Sequence, residues 1–227
     1  GLSSSGFHVA NLLLHALVCV FVYFFVRRIF SQSRIGALCS MLLFAVHPIH
    51  TENIVYLVGR ADICATFFYM LAILASVEKK EFEAVWKTCV LTLMAGMCKE
   101  TGFTAIFLAA GIDGLKFGKI TRKSGLLVLG GLIMMGWRHW YTGGTEVNMS
   151  VQDNPISYET EWVHRFLSYM YIHGKYLQLL VFPLELCYDY SLAAIPILRS
   201  MEDIRNLLGI SAYLSVFSAL NLAVKMY

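Results

Sequence analysis

The sequence predicts an all-α, polytopic membrane protein, and three observations lead to this prediction. Hydrophobic residues make up 58% of the 227 residues and charged residues only 15%, against about 45–50% and about 25% in an ordinary soluble domain. The apolar residues also fall in runs that short charged segments separate. Such a composition and pattern indicate helices that cross a bilayer rather than a large soluble core.

The apolar runs place the predicted spans. Several runs are shorter than the ~20 residues that cross a typical hydrocarbon core, so 35–47 and 85–98 must extend into their polar flanks or sit among other helices. We predict a six-span membrane bundle over residues 1–141, a lumenal loop over 142–206 and a further transmembrane helix over 207–227. The runs are 7–26, 35–47, 62–77, 85–98, 102–116, 125–141 and 207–224.

Basic residues give these spans an orientation. The short loops on one side carry only Arg60, Lys99 and Arg138, whereas those on the other side carry ten basic residues. The positive-inside rule assigns the basic side to the cytosol and the opposite side to the lumen. The sequon at Asn148 falls on the lumenal side, which predicts a glycosylated loop there. The ten basic residues are Arg27, Arg28, Arg34, Lys79, Lys80, Lys87, Lys116, Lys119, Arg122 and Lys123.

The segment 162–182 has two possible placements. Its polar residues recur at helical spacing and form one stripe, with apolar residues on the opposite face. Such a helix can lie flat at the lumenal interface, or it can span with the stripe facing a cavity. We favour the interfacial placement, which keeps 183–206 lumenal. The stripe consists of His164, Ser168, Tyr171, Lys175 and Gln178.

The densest group of ionisable residues lies between two apolar runs, and it predicts a functional site. Such groups are costly near a bilayer unless they face a cavity, a partner or water. Pro48 should end the preceding helix, and Asp62 suits the positive end of the next one. A simpler alternative is an Arg60–Glu52 or Arg60–Asp62 ion pair, with the histidines capping helix ends. The group consists of His47, His50, Glu52, Arg60 and Asp62.

Further ionisable residues lie on the predicted lumenal side. Lys99 suits a phosphate headgroup, although it can also snorkel with Glu100 as its counter-ion, and Arg138 adds another cation. Asp189 lies between two tyrosines, which suits carbohydrate or peptide binding but also an ordinary membrane-surface loop. No third ligand joins His47 and His50 into a metal site, and the loop lysines do not form a nucleic-acid face. We therefore predict no metal, no cofactor and no nucleic-acid partner.

Several motifs together resemble the transmembrane and tetratricopeptide-repeat-containing (TMTC) family. The signature is His47-Pro48-Ile49-His50-Thr51-Glu52 followed by Gly59-Arg60-Ala61-Asp62. The other segments, in chain order, are Gly6-Phe7-His8-Val9-Ala10-Asn11-Leu12-Leu13-Leu14-His15, Cys98-Lys99-Glu100-Thr101-Gly102, Asp153-Asn154-Pro155, Leu180-Val181-Phe182-Pro183-Leu184, Asp189-Tyr190-Ser191 and Ile195-Pro196.

The resemblance implies a multi-pass glycosyltransferase of the C-type fold (GT-C) in the endoplasmic reticulum membrane. It would transfer mannose from dolichyl-phosphate mannose to Ser or Thr hydroxyls of lumenal proteins, with cadherins as acceptors. Lys99, Arg138 and Arg60 would then face the donor phosphate, and the supporting residues would shape the pocket. The supporting residues are His47, His50, Glu52, Asp62, Glu100 and Asp189.

The resemblance also implies parts that this chain lacks. A first span and an acidic loop carrying the catalytic base would precede Gly1, and tetratricopeptide repeats would follow the chain. We therefore expect a fragment that is inactive alone. Two alternatives stay open: a non-catalytic membrane scaffold, and a transporter, which the clustering of charge at one surface disfavours.

Overall fold

The computed structural model is helical throughout its regular parts. It describes residues 4–30, 33–144, 150–184, 186–187, 189–192 and 194–226, and no β-strand occurs within these ranges. The prediction of an all-α protein is confirmed. The helices are α1 (Ser4–Ile29), α2 (Arg34–Val46), α3 (Thr51–Val55), α4 (Arg60–Ser76), α5 (Glu81–Cys98), α6 (Ala105–Phe117), α7 (Arg122–Tyr141), α8 (Trp162–Val181) and α9 (Asn206–Met226), with 3₁₀ turns at Pro48–His50, Glu100–Thr104 and Pro155–Tyr158.

A helix lies over each predicted apolar run, but several helices extend into the charged flanks. The clearest case is α7, which begins at Arg122 rather than at residue 125. There the Thr121 hydroxyl accepts a hydrogen bond from the Ser124 amide (3.0 Å), and the Ser124 hydroxyl accepts one from the Thr121 amide (2.8 Å). This reciprocal capping satisfies free amides at the helix start, so the helix begins before its apolar run does.

Two helices in the described part of the chain are long and apolar enough to cross a membrane. They are Ser5–Ile29 and Asn206–Lys225. The pair Arg34–Val46 and Pro48–Val55, bent by 49°, adds a third if the two helices form one span. These findings confirm a membrane protein. The six-span bundle, its orientation and the lumenal loop stay predictions.

The chain divides into two compact units, unit 1 over Gly1–Gly144 and unit 2 over Thr145–Met226. The core of unit 1 joins α4, α6 and α7 through Ile73, Ile106 and Leu127, which are all fully buried. A second cluster holds α1 against α4 through Val18 and Ile63. These contacts fix the helix neighbours that bring distant polar residues together.

The helices α4 to α7 run between two ends of unit 1, and each end carries its own polar cluster. The rim is defined by Asp62, Lys99, Glu100 and Arg138, which lie where α4 starts and where α5 and α7 end. The basal end is defined by Ser76, Asp113, Thr121 and Lys123, where α4 and α6 end and α7 starts. The 17 residues of α4 separate the two, a length of about 25 Å.

Unit 2 is built on a close contact between α8 and α9. A Cβ placed on Gly174 would lie 2.7 Å from the Leu208 carbonyl carbon, and one on Gly209 would lie 2.7 Å from the Met170 carbonyl oxygen. Glycines of this kind let two helix backbones touch directly. The polar stripe of α8 is partly enclosed, because Ser168 is buried and accepts a hydrogen bond from the Leu198 amide at 2.8 Å. The helix predicted over 162–182 is confirmed, and its placement relative to the bilayer stays a prediction.

Candidate functional site

Pro48 ends α2 at Val46, as predicted. His47 follows in an extended conformation, and Pro48 opens a 3₁₀ turn. The Nδ1 atom of His47 accepts a hydrogen bond from the Ile49 amide at 3.3 Å. This histidine therefore caps a helical turn, which is the simpler of the two roles that the sequence allowed.

His50 belongs to a packed ring cluster that joins the start of the polar stretch to α1 and α2. Its ring centroid lies 4.3 Å from that of Phe44 and 5.2 Å from that of His15. His15 is buried on α1, and its Nε2 lies 3.3 Å from the Ala45 carbonyl oxygen. In the described part of the chain, no three His, Cys, Asp or Glu side chains are arranged to hold a metal ion. The cluster acts as packing between helices.

Arg60 ties α4 to α1 rather than to a carboxylate. Its Nε donates to the Asn11 side-chain oxygen at 2.9 Å, and Nη2 donates to the Phe7 carbonyl at 3.1 Å. The guanidinium also lies 5.0 Å from the centroid of the Phe7 ring. Asn11 is fully buried and donates to the Ile54 and Tyr56 carbonyls, at 3.3 Å each. The buried side-chain amide of Asn11 therefore links α1 to the start of α4 and to the segment that contains Ile54 and Tyr56.

The alternative of an ion pair between Arg60 and Glu52 or Asp62 is not found among the described residues. None of the described ion pairs involves Arg60. Its guanidinium points at α1 and donates its hydrogen bonds to neutral oxygen atoms. Glu52 is exposed. Asp62 lies in the first turn of α4, as predicted, but its partner comes from another helix.

Asp62 pairs with Lys99 at the rim. The Lys99 ammonium contacts the Asp62 carboxylate across 37 residues of sequence, so the alternative in which Glu100 is its counter-ion does not hold. Lys99 follows the last residue of α5 in an extended conformation, so it lies beyond the last helical turn. Both side chains are partly exposed, 45% for Lys99 and 31% for Asp62.

Glu100 pairs with Arg138 beside an open cleft. The Arg138 guanidinium contacts the Glu100 carboxylate and lies 5.9 Å from the centroid of the Phe103 ring. The rim cleft has a volume of about 450 Å³. It combines one charged wall with an apolar one. Its lining residues are Glu100, Phe103, Thr104, Phe107, Met135, Arg138, His139 and Thr142.

The structure brings Lys99 and Arg138 to one end of unit 1 but holds each with a carboxylate. Partly exposed ion pairs contribute little, about 0–1 kcal/mol. An incoming phosphate can therefore replace a carboxylate at small cost, and an arginine can bind it with two parallel hydrogen bonds. The arrangement is suited to binding an anion next to apolar surface.

Asp189 belongs to unit 2, away from the rim residues in the chain. Its carboxylate accepts hydrogen bonds from the Ser191 amide and hydroxyl, at 2.9 Å each. It lines a cleft of about 480 Å³ together with Asp153, Tyr169 and Tyr176. The predicted glycosylation site, Asn148, lies outside the described residues.

Two polar residues of α1 were missed as site residues by reasoning from the sequence. Asn11 and His15 lie in an apolar helix, four positions apart, and both are buried. Their signal was present, because a polar side chain inside a candidate span needs a partner. Both also fall within the segment from Gly6 to His15 that resembles the TMTC family.

Comparisons with known proteins agree on one family. Residues 143–217 match the family described as "Protein O-mannosyl-transferase TMTC, DUF1736". The chain is 32% identical to Protein O-mannosyl-transferase Tmtc1 of Drosophila melanogaster, over 97% of the chain and 28% of that protein. It is 31% identical to Protein O-mannosyl-transferase F38B6.6 of Caenorhabditis elegans, over 90% of the chain and 30% of that protein.

A human protein of the same family is similar to the chain to the same degree. Protein O-mannosyl-transferase TMTC4 of Homo sapiens is 31% identical, over 90% of the chain and 34% of that protein. The chain thus spans about a third or less of the length of the curated relatives it matches. No solved structure matches it significantly.

Proposed function

The chain belongs to the TMTC family, as its motifs predicted, and on that premise we propose that it forms part of a membrane O-mannosyltransferase. The donor would be dolichyl-phosphate mannose, and the acceptors would be Ser and Thr hydroxyls of lumenal proteins, cadherins among them. The protein would have the GT-C fold and reside in the endoplasmic reticulum membrane. Support for the reaction class comes from the relatives, which are named protein O-mannosyl-transferases.

The observation that carries the proposal is the pair of exchangeable cations at the rim. Lys99 and Arg138 are both partly exposed, and each pairs with a carboxylate, while Arg138 also lies over the Phe103 ring. In mannosyl transfer the acceptor oxygen bonds to the anomeric carbon, the bond from that carbon to the phosphate oxygen breaks, and the lipid phosphate leaves with the electron pair. Cations placed beside the leaving phosphate stabilise the charge that develops on it.

Each rim residue has a definite part in this proposal. Arg138 would bind the phosphate through its planar fork, and Lys99 would add a second, point-like charge. Asp62 and Glu100 would hold the two cations in position while no donor is bound. The apolar wall formed by Phe103 and Phe107 suits the lipid that follows the phosphate.

The other predicted site residues would act at a distance from the phosphate. His47, His50 and Arg60 would position the polar stretch, because their side chains cap, pack and tie helices. Glu52, which is exposed, would line the acceptor side. The general base would be a carboxylate that takes the acceptor proton, and none of these residues has that role.

The test is mannosyl transfer by the full-length protein carrying Arg138→Ala or Lys99→Ala. We expect kcat to fall about 100-fold for each, the usual effect of removing one charge-stabilising donor. Lys119→Ala removes a cation that is exposed and lies on the loop before α7, so it is the matched control and should keep full activity.

Two outcomes would contradict the proposal. Full activity of both rim variants, in protein that melts at the wild-type temperature, would remove Lys99 and Arg138 from the site. A wild-type full-length protein that transfers no mannose from this donor would instead favour the membrane scaffold.

A further inference from the structure

The basal end of unit 1 contains a second cavity that the proposed reaction does not use. Its volume is about 300 Å³, and it lies between the end of α4, the end of α6 and the start of α7. None of its lining residues belongs to the rim. The lining consists of Ser76, Val77, Glu78, Lys79, Glu81, Ala109, Ile112, Asp113, Lys116, Phe117, Thr121, Arg122 and Lys123.

Two of the three carboxylates that line this cavity have close cationic partners. Glu78 pairs with Lys87 at 2.7 Å, which lies outside the lining. Asp113 pairs with Lys123 at 2.5 Å and also accepts a hydrogen bond from the Thr121 hydroxyl. The third carboxylate, Glu81, is half-exposed and makes a long contact with Arg122 at 3.8 Å.

Some of the cations lack such partners. Among the described ion pairs, none involves Lys79 or Lys116, and both side chains are exposed. Lys116 instead lies 5.7 Å from the centroid of the Phe117 ring. Arg122 makes only a long contact with Glu81, at 3.8 Å, and its side chain is 85% exposed. Within the described part of the chain, the cavity thus offers two ammonium groups without an ion-pair partner and one loosely held guanidinium.

Hydrogen bonds and a tight turn connect the helix ends that frame the cavity. The Lys123 ammonium donates to the Ser76 carbonyl at 2.9 Å, so it joins α7 to the end of α4. Gly118, at a φ of +63°, turns the chain sharply after α6, a conformation that glycine adopts without strain. The capping of α7 by Thr121 fixes the third side.

We propose that this cavity binds one phosphate group, carried by the headgroup of an anionic membrane lipid or by free phosphate. Lys79 and Lys116 would contact the phosphate oxygens, and Ala109, Ile112 and Phe117 provide an apolar floor. A site that is both basic and apolar at a helix-bundle end is the arrangement that recognises acidic phospholipid headgroups. The predicted orientation places it on the cytosolic side, where such lipids are enriched.

The experiment measures binding by the purified full-length protein in detergent, with three probes. They are dioctanoyl phosphatidylinositol 4-phosphate, dioctanoyl phosphatidylcholine and inorganic phosphate. We expect the first to bind and the second not to bind, because only the first carries a phosphate monoester. If the inositol lipid binds and inorganic phosphate does not, the ligand is a lipid headgroup. If both bind, the cavity is a general phosphate site.

Variants locate the site. Lys79→Gln and Lys116→Gln should each weaken binding of the inositol lipid about fivefold, the effect of one surface lysine. Lys116→Arg, which keeps the charge, should bind the inositol lipid with the wild-type affinity. The control is Lys119→Gln, which removes the same charge from an exposed residue outside the lining and should change the affinity less than twofold. Equal weakening by all three glutamine variants, or no binding of either phosphate probe, would overturn the proposal.

Discussion

The rim and the basal end of unit 1 use the same kind of ion pair in different surroundings. At the rim, the Lys99 and Asp62 side chains are 45% and 31% exposed. At the basal end, the Lys123 and Asp113 side chains are only 16% and 3% exposed. The rim pair faces solvent, whereas the basal pair also bonds to Thr121 and to the Ser76 carbonyl.

This difference separates two uses of charge. An exposed pair costs little to break, so its cation can exchange one anionic partner for another. A buried pair is costly to break, because each group left alone would be an unsolvated charge. The rim is therefore suited to a transient ligand, and the basal pair to holding α6 and α7 together.

The largest effect should come from breaking the buried pair. Asp113→Asn leaves the Lys123 ammonium without its counter-ion, and we expect a loss of about 3–5 kcal/mol in the free energy of unfolding. Asp62→Asn is the matched substitution at the rim and should cost about 0–1 kcal/mol. Thermal unfolding of both variants in detergent checks this. Similar shifts in melting temperature would show that the two pairs do not differ.

Arg60 should give an intermediate effect, since it joins the rim end to α1 through two hydrogen bonds. We expect Arg60→Met to cost about 1.5–3 kcal/mol, the usual range for a hydrogen bond to a charged group. Arg60→Lys keeps the charge but loses the fork, so it should recover only part of that stability.

The kinetics of these two variants decide between a structural and a site role for Arg60. A structural tie predicts that the Michaelis constant for the donor is unchanged in folded Arg60→Lys protein. A stable variant with a raised constant would place Arg60 beside the donor instead.

The smallest effect should come from a pair between neighbouring surface residues. Arg205 donates to the Asp203 carboxylate at 2.9 and 2.6 Å, and these hydrogen bonds lower the pKa of Asp203 to about 2. The unfolded value is about 3.9. The stabilisation is therefore complete above pH 4 and is lost as the pH falls through 2.

The pH dependence of the melting temperature checks this. The melting temperature of the wild type should be slightly higher than that of Asp203→Asn at pH 6, and the two melting temperatures should become equal near pH 2. Curves that stay parallel over this range would show that the Asp203 carboxylate contributes nothing through its charge.

Helix positions could be predicted well from the sequence, because an apolar run of sufficient length needs a regular, internally bonded backbone. Helix ends were harder to predict. The sequence placed a span at 102–116, but the structure has a 3₁₀ turn over Glu100–Thr104 and α6 only from Ala105. Gly102 there packs against the Ala95 backbone, closer than any side chain would permit, a contact that hydropathy does not encode.

The sequence predicted Asp62, Lys99, Glu100 and Arg138 as site candidates but not how they pair. Lys99 and Arg138 were identified from their position beside apolar runs. Their partners were not, because the two partners of an ion pair such as Asp62–Lys99 lie 37 residues apart and meet only through helix packing. Asp113 was missed for the same reason: its buried pair with Lys123 depends on how α6 and α7 are packed.

The tie between Asn11 and Arg60 also sets an order of events during synthesis. The two residues lie 49 positions apart, which corresponds to a delay of about 2–10 s at ordinary translation rates. Until α4 is made, the amide of Asn11 lacks the charged donor that it has in the finished protein. The α1 helix is therefore synthesised before the arginine that ties it to α4.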